Sequence, residues 1–278
     1  MQDNIPFRVS CSTGTLYHLP LKLAFSIIKQ AGFDGVEIDA SPELLIRGAA
    51  YAKKLAREFN LPIYTFHPPL YPFPGWPKAQ TERILAVARF AQDLDCESFV
   101  IHAPKSYSLA TPRAKQYLNG VHLGVAFAEQ HQLKFGLETA QKPVKKKPRL
   151  FDSLDYFIDF TDKNKLSVVY DTGHSGASGE DFVRSAQYIG GRLCNVHFND
   201  VFIESPQRKA KTHLAPGKGN CGDLAAFLRE LARQHYTGPV TYELSPFEAG
   251  LGIPQIAIQK LRDARSFVQK AFDSGSNT

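Results

Sequence analysis

The stretch Leu166-Ser167-Val168-Val169-Tyr170-Asp171-Thr172-Gly173-His174 decides the fold. A short, mostly apolar run leads straight into an aspartate, and a histidine follows three residues later, beyond a glycine. An apolar run of this length, bounded by turn residues, reads as a strand buried on both faces, and such strands belong to parallel sheets covered by helices. Seven further runs share the pattern, so that 7–13, 35–40, 62–67, 98–103, 134–139, 166–171, 193–199 and 239–244 make eight candidate strands. Amphipathic segments separate them at 21–31, 44–59, 80–94, 113–130, 150–161, 181–189 and 224–234, and a last one at 253–272 closes the series. Junctions such as Ala31-Gly32-Phe33-Asp34-Gly35 and Tyr236-Thr237-Gly238-Pro239 carry the residues that end a helix and reverse the chain. Eight strand–helix units without a long polar linker predict an α/β fold, a single (β/α)8 barrel occupying residues 1–278 as one domain. A doubly wound open sheet is the alternative, but no glycine-rich phosphate loop follows the first strand.

Composition agrees with a folded chain. The 278 residues are 43% hydrophobic and 22% charged, and 33 basic against 27 acidic side chains give a net charge of +6. These values exclude a collagenous or disordered chain. No apolar run approaches the roughly 20 residues of a membrane helix, and no secretory leader is evident at the start. Cys11, Cys96, Cys194 and Cys221 lie far apart without a CxxC pair, which argues against a zinc ribbon or a disulfide frame. A cytoplasmic location is the expectation.

In a barrel of this kind the chemistry sits where strands end. The strand ends here are His67, His102, Glu138, Asp171 with His174, His197, and Glu243, and His213 lies in the long loop after the seventh strand. Five of nine histidines thus fall at one end of the expected barrel. Any one of them alone would read as an ordinary hydrogen-bonded histidine, as His18, His122, His131 and His235 do. Together, imidazoles and carboxylates converging from several strands are what a divalent cation requires, since clustered carboxylates are otherwise costly to bury.

These residues carry a resemblance to a known group. Gly32-Phe33-Asp34-Gly35-Val36-Glu37, Glu138-Thr139-Ala140, Asp171-Thr172-Gly173-His174, His197-Phe198-Asn199-Asp200, Gly217-Lys218-Gly219-Asn220-Cys221-Gly222 and Tyr242-Glu243-Leu244-Ser245 resemble motifs of the xylose-isomerase-like TIM-barrel superfamily, over nearly the whole chain. That superfamily contains sugar phosphate isomerases and epimerases and also endonuclease IV. The isomerase branch implies one catalytic metal held by Glu138, Asp171, His197 and Glu243. The endonuclease branch implies three zinc ions and nine ligands, of which His67, His102, Glu138, Asp171, His174, His197, His213 and Glu243 supply eight. The ninth position is Lys211, whose ammonium repels a cation. His174 and His213 would then be free to bind substrate. The resemblance therefore implies one or two ions per chain, zinc or manganese first and magnesium or cobalt next.

The loop 68–76 after the third strand is Pro68-Pro69-Leu70-Tyr71-Pro72-Phe73-Pro74-Gly75-Trp76, stiff and aromatic enough to cover a small ligand, although an aromatic wedge in DNA is the other use of such a loop. Basic residues crowd the loops after strands four, five and seven: Lys105, Arg113, Lys115, Lys142, Lys145, Lys146, Lys147, Arg149, Arg208, Lys209, Lys211 and Lys218. A basic rim attracts phosphate, from a sugar phosphate or from a nucleic acid. The expectation is a metal-dependent isomerase or epimerase of a sugar, sugar phosphate or polyol ketone, with Glu138 and Glu243 as catalytic carboxylates. His174, His213, Lys211 and Trp76 would contact the substrate. Nucleic acid is the partner only under the alternative, an endonuclease IV-like phosphodiesterase; no membrane partner is expected, and self-association into a homo-oligomer stays open.

Overall fold

The computed structural model describes residues 5–142, 147–205 and 210–273. Eight apolar runs become parallel strands: β1 (Arg8–Ser12), β2 (Gly35–Asp39), β3 (Ile63–His67), β4 (Ser98–His102), β5 (Lys134–Glu138), β6 (Ser167–Asp171), β7 (Leu193–Phe198) and, last in the chain, β10 (Pro239–Tyr242). They pair in sequence order and close on themselves where β1 meets β10, with Arg8 opposite Pro239 and Cys11 opposite Tyr242. The fold is a (β/α)8 TIM barrel. A small antiparallel hairpin, β8 (Asp200–Phe202) with β9 (Lys211–Leu214), is inserted after β7.

Helices α1 (Leu21–Ala31), α2 (Pro42–Phe59), α3 (Gln80–Asp93), α4 (Pro112–His131), α5 (Leu154–Lys163), α6 (Thr172–Ala177), α7 (Phe182–Ile189), α8 (Leu224–Arg233) and α9 (Pro254–Asp273) follow the strands. Their starts are written in the sequence. Ser41 and Thr111 accept the amides of Leu44 and Ala114 at the heads of α2 and α4, each with proline at the first helical position. Gly32 ends α1 with φ +90°, a conformation glycine adopts without strain.

Two apolar regions hold the barrel. The larger lies between strands and helices and includes Phe25, Phe66, Phe99, Phe198, Phe227 and Tyr242, all fully buried. The smaller is Val100, Val169 and Cys194, where a Cβ on Gly136 would come 2.6 Å from Val169 and 2.8 Å from Cys194. Buried polar groups form a separate hydrogen-bonded set: Ser10 with Thr241, Thr241 with Asn195, Asn195 with Glu37, and Thr65 with Ser98.

Three local features differ from the sequence reading. The segment read as a helix from 150 begins with a 3-10 turn, Leu150–Asp152, and α5 starts only after Ser153 caps it. The hairpin after β7 and the short helix α6 have no counterpart in the sequence reading, because elements of three to six residues leave no periodicity to detect. Of the basic rim, Lys145, Lys146, Arg208 and Lys209 lie outside the described residues.

Candidate metal centre at the barrel mouth

Glu138 ends β5 and is fully buried, and four imidazoles surround it. His102 Nε2 lies 3.0 Å from Glu138 Oε2, His67 Nε2 4.0 Å from the same oxygen, His197 Nδ1 3.1 Å from Oε1, and His174 Nδ1 3.6 Å from Oε1. His197 Nδ1 also stands 3.2 Å from Glu243 Oε2. Three sets of donor atoms each come within 4.8 Å of one another: His67, His102 and Glu138; Glu138, Asp171, His197 and Glu243; and Asp171, His174 and His213. The third set meets without any contribution from position 211.

The motifs explain how these side chains are aimed. Asp171 caps α6 by accepting the amide of His174 at 2.9 Å, so one carboxylate both starts the helix and faces the cluster. Asn199 donates from Nδ2 to Asp171 Oδ1 at 3.2 Å and accepts the amide of His213 at 3.0 Å, which ties the hairpin to β6. Gly173 is required beside it, because a Cβ there would fall 1.9 Å from Asn199 Oδ1. In the Gly217-Lys218-Gly219 motif both glycine amides donate to Asp200 Oδ2, at 2.8 and 2.9 Å. Those N–H groups are occupied by a side chain and do not form an anion cradle.

His174 and His213 are each fixed through one ring nitrogen. His174 Nδ1 is hydrogen-bonded to the Thr139 carbonyl at 3.0 Å and His213 Nδ1 to the Glu243 carbonyl at 3.1 Å, which leaves Nε2 of both as the second ring nitrogen. Their rings meet edge to face at 5.8 Å. His197 is backed by Glu37, whose Oε2 lies 3.2 Å from Nε2 and also accepts from Asn195 Nδ2 at 2.9 Å. His67 Nδ1 lies 3.0 Å from Asp39 Oδ1, an ion-pair distance without hydrogen-bond alignment. Asp39 is itself held by Ser12 Oγ at 2.5 Å and the Gly14 amide at 2.7 Å.

Electrostatics follow from that crowding. Burial alone would raise the Glu138 and Glu243 carboxyls, but adjacent imidazoles, His102 and His197 for the first and His197 and His213 for the second, hold both below the usual range. Burial alone would likewise lower His67, yet Asp39 and Glu37 push it up to about 10. His197 is driven well above its ordinary value by Glu37, Glu243 and Glu138 against the same burial penalty. Glu37 goes the other way, raised by burial despite His197. These directions follow from carboxylates and imidazoles facing one another across a buried site.

The fit to a cation rests on atoms left over. Glu138 Oε2, Asp171 Oδ2, Glu243 Oε2 and both His67 nitrogens are buried without a hydrogen-bond partner. A mixed oxygen and nitrogen donor set, converging on one place with unsatisfied carboxylate oxygens, matches what zinc, manganese and similar ions take.

Glu37, Asp39, Asn195 and Asn199 were not singled out as site residues from sequence. The signal was there for the first two: Glu37 and Asp39 are carboxylates two apart on an otherwise apolar strand, hence on one face of it. Lys211 and Trp76 belong to none of the three donor sets. The Lys211 ammonium lies 5.9 Å from the Phe202 ring centroid, across the hairpin. Trp76 is buried, 6.1 Å from Phe90 and 5.8 Å from Phe73 between ring centroids, and lines a cavity next to His102.

With eight strands closed and carboxylates and imidazoles gathered at their C-terminal ends, the architecture is that of a TIM-barrel protein with a metal-ligand type of donor set. Residues 25–266 match the model of the xylose isomerase-like TIM barrel family, and the chain belongs to that family. An uncharacterised protein of Mycobacterium leprae is 24% identical over 260 residues, 86% of this chain and 89% of its own. An inosose dehydratase of Lacticaseibacillus casei is 27% identical over 93 residues, 34% of this chain and 28% of its own. Among solved structures, 3-keto-D-glucoside 4-epimerase from E. coli aligns with a TM-score of 0.69 at 18% identity, covering 95% of this chain and 99% of its own. An AP endonuclease of family 2 from Brucella melitensis aligns at 0.68 and 15% identity, covering 86% and 94%.

Proposed function

We propose that the protein is a divalent-metal-dependent isomerase or epimerase of a sugar, sugar phosphate or related polyol ketone. The observation that carries this reading is the set of buried, unpartnered oxygens on Glu138, Asp171 and Glu243, three residues that form one donor set with His197. Glu138, Asp171, His197 and Glu243 would hold the ion, which when bound supplies Lewis-acid polarisation of a substrate carbonyl. Glu138 and Glu243 come from strands separated by β6 and β7 and approach the same imidazole nitrogen. One takes a proton from the carbon beside the carbonyl and the other returns a proton to the neighbouring position or the opposite face. Burial keeps water from competing for that proton. His174 and His213, each anchored through Nδ1, present Nε2 to substrate hydroxyls. Similar proteins named for a keto-glucoside and an inosose support a polyol ketone as the substrate class.

A second reading, phosphodiester cleavage of abasic DNA, draws on a specific feature: Glu138 belongs to two donor clusters at once, as a carboxylate bridging two ions would. Elemental analysis of purified protein separates the two. One or two ions per chain are expected, because the Asp171, His174 and His213 set offers three donors and Lys211, at the chain position where the resemblance puts the ninth ligand, is a cation. Three tightly held zinc ions would contradict this count and favour the phosphodiesterase.

Glu37→Gln tests how the ion is held. A carboxylate behind a metal-binding imidazole sets ring orientation and basicity, so its loss is expected to weaken metal binding about 10-fold to 100-fold, read by competition with a chelator. Unchanged affinity would mean that His197 is not a ligand through Nδ1.

A further inference from the structure

A cavity of about 600 Å³ opens between the loops that follow β3 and β4. Trp76, Ile84, Val87 and Tyr117 give it an apolar wall. Its charged lining is one-sided: Arg83, Lys105 and Arg113 face it, and no carboxylate among the described residues does. His102 belongs both to this lining and to the metal-ligand cluster, through the 3.0 Å contact with Glu138. The cavity therefore adjoins the mouth of the barrel by a shared side chain.

The structure sorts the basic rim into committed and uncommitted cations. Arg149 is spent on Asp152 and the Gln141 carbonyl, Lys218 pairs with Glu248 at 2.7 Å, and Lys142 reaches the Ser178 carbonyl at 3.4 Å and Glu180 at 3.9 Å. Lys105 and Arg113 have no such partner among the described residues. Arg83 uses only Nε, donating to the Pro77 carbonyl at 2.8 Å, which fixes the guanidinium and leaves its two terminal nitrogens. Three cations around one recess repel each other unless an anion joins them. The head of α4 lies in the same lining, at Thr111 and Arg113, and its dipole adds to the positive field.

We propose that this cavity is an anion subsite that takes the phosphate monoester of a small phosphorylated sugar, whose carbonyl end lies at the Glu138 and Glu243 cluster. The placement of the carbonyl end rests on the isomerase reading; the anion subsite does not. A monoester dianion matches several cations better than a single carboxylate does, and guanidinium groups bind phosphate oxygens through paired N–H donors. The volume falls within the roughly 300–1,000 Å³ of small-molecule pockets. The apolar wall suits the ring face of a sugar, and Trp76 supplies it.

Calorimetric titration of the purified, metal-containing protein with inorganic phosphate tests the subsite. The double variant Arg83→Gln, Arg113→Gln is expected to weaken phosphate binding at least about tenfold, the scale of two charge-assisted hydrogen bonds. Lys163→Gln, a charge change on α5 away from the lining, is expected to leave it unchanged. Glu138→Gln guards against phosphate bound at the metal: if that variant loses phosphate binding and the arginine variant keeps it, the subsite is refuted. Ribulose 5-phosphate and fructose 6-phosphate, each against its free ketose, supply the second arm, with the KM of the phosphorylated form alone rising in the arginine variant. Binding of a short abasic-site duplex that is lost in the same variant would overturn the small-molecule assignment. Arginine-dependent phosphate binding without turnover of any ketose would keep the subsite and overturn the isomerase reading. Turnover of free ketoses without arginine-dependent phosphate binding would do the reverse.

Discussion

Glu138→Gln lowers turnover by about 10²–10⁴-fold, the range for losing a general acid or base, and leaves the barrel folded. The size of the effect follows from position. Glu138 is the only side chain shared by the first two donor clusters, and its two oxygens are approached separately by His102 and His197. The amide has nearly the same shape, so packing is kept, but it can neither accept the proton nor bind a cation through both oxygens. Because the Glu138 charge balances the imidazoles of His102 and His197, the metal-free variant should remain folded but unfold at a lower temperature than the parent. Activity above a tenth of the parent would sink the assignment of Glu138. A collapse of the circular dichroism spectrum would show instead that its role is structural.

Gly173→Ala is expected to be the most damaging single methyl in the site. Its Cβ would fall 1.9 Å from Asn199 Oδ1 and 2.9 Å from Asn199 Cγ, far inside contact distance. Asn199 has little freedom to yield, since it bonds Asp171 through Nδ2, the His213 amide through Oδ1 and Thr172 Oγ1 through its own amide. Overpacking of this kind costs about 1–3 kcal/mol, and here the displaced side chain also releases the hairpin that carries His213. A lower urea midpoint is expected together with weaker metal retention. Gly191→Ala, with no atom within 4 Å of its Cβ and no positive φ, serves as the neutral control. Equal midpoints for the two variants would contradict the packing argument.

The barrel was legible because each strand is a short apolar run ended by a polar residue, a pattern that only a two-sided buried strand with a functional end requires. The donor residues were legible for the same reason: His67, His102, Glu138, Asp171 and His197 are the last or nearly the last residues of their strands. Glu37 and Asp39 were harder, because alternate carboxylates on one face of a strand read as exposed positions until closure of the barrel turns that face inward. Asn199 escaped notice because its task, bridging Asp171 and the His213 amide, exists only once the hairpin folds back, and the hairpin strands are too short to show a period. The loop 68–76 illustrates another limit: its composition announced aromatic rings but not that Trp76 would be packed between Phe73 and Phe90. Likewise the basic rim was visible as a crowd of charges, while its division into paired and unpaired cations depended on Asp152, Glu180 and Glu248, which stand elsewhere in the sequence.

Proton transfer at a substrate carbon is the central claim, and exchange with deuterated water measures it directly. The metal-loaded protein is incubated in deuterium oxide with a panel of ketoses and their phosphates, and in parallel with abasic-site duplex DNA. Deuterium is expected at a carbon beside the carbonyl of at least one ketose, with the DNA intact, and the exchange should vanish on chelation and in both Glu138→Gln and Glu243→Gln. Strand cleavage at the abasic site that tracks metal content and disappears in Glu138→Gln, with no exchange into any sugar, would contradict the account.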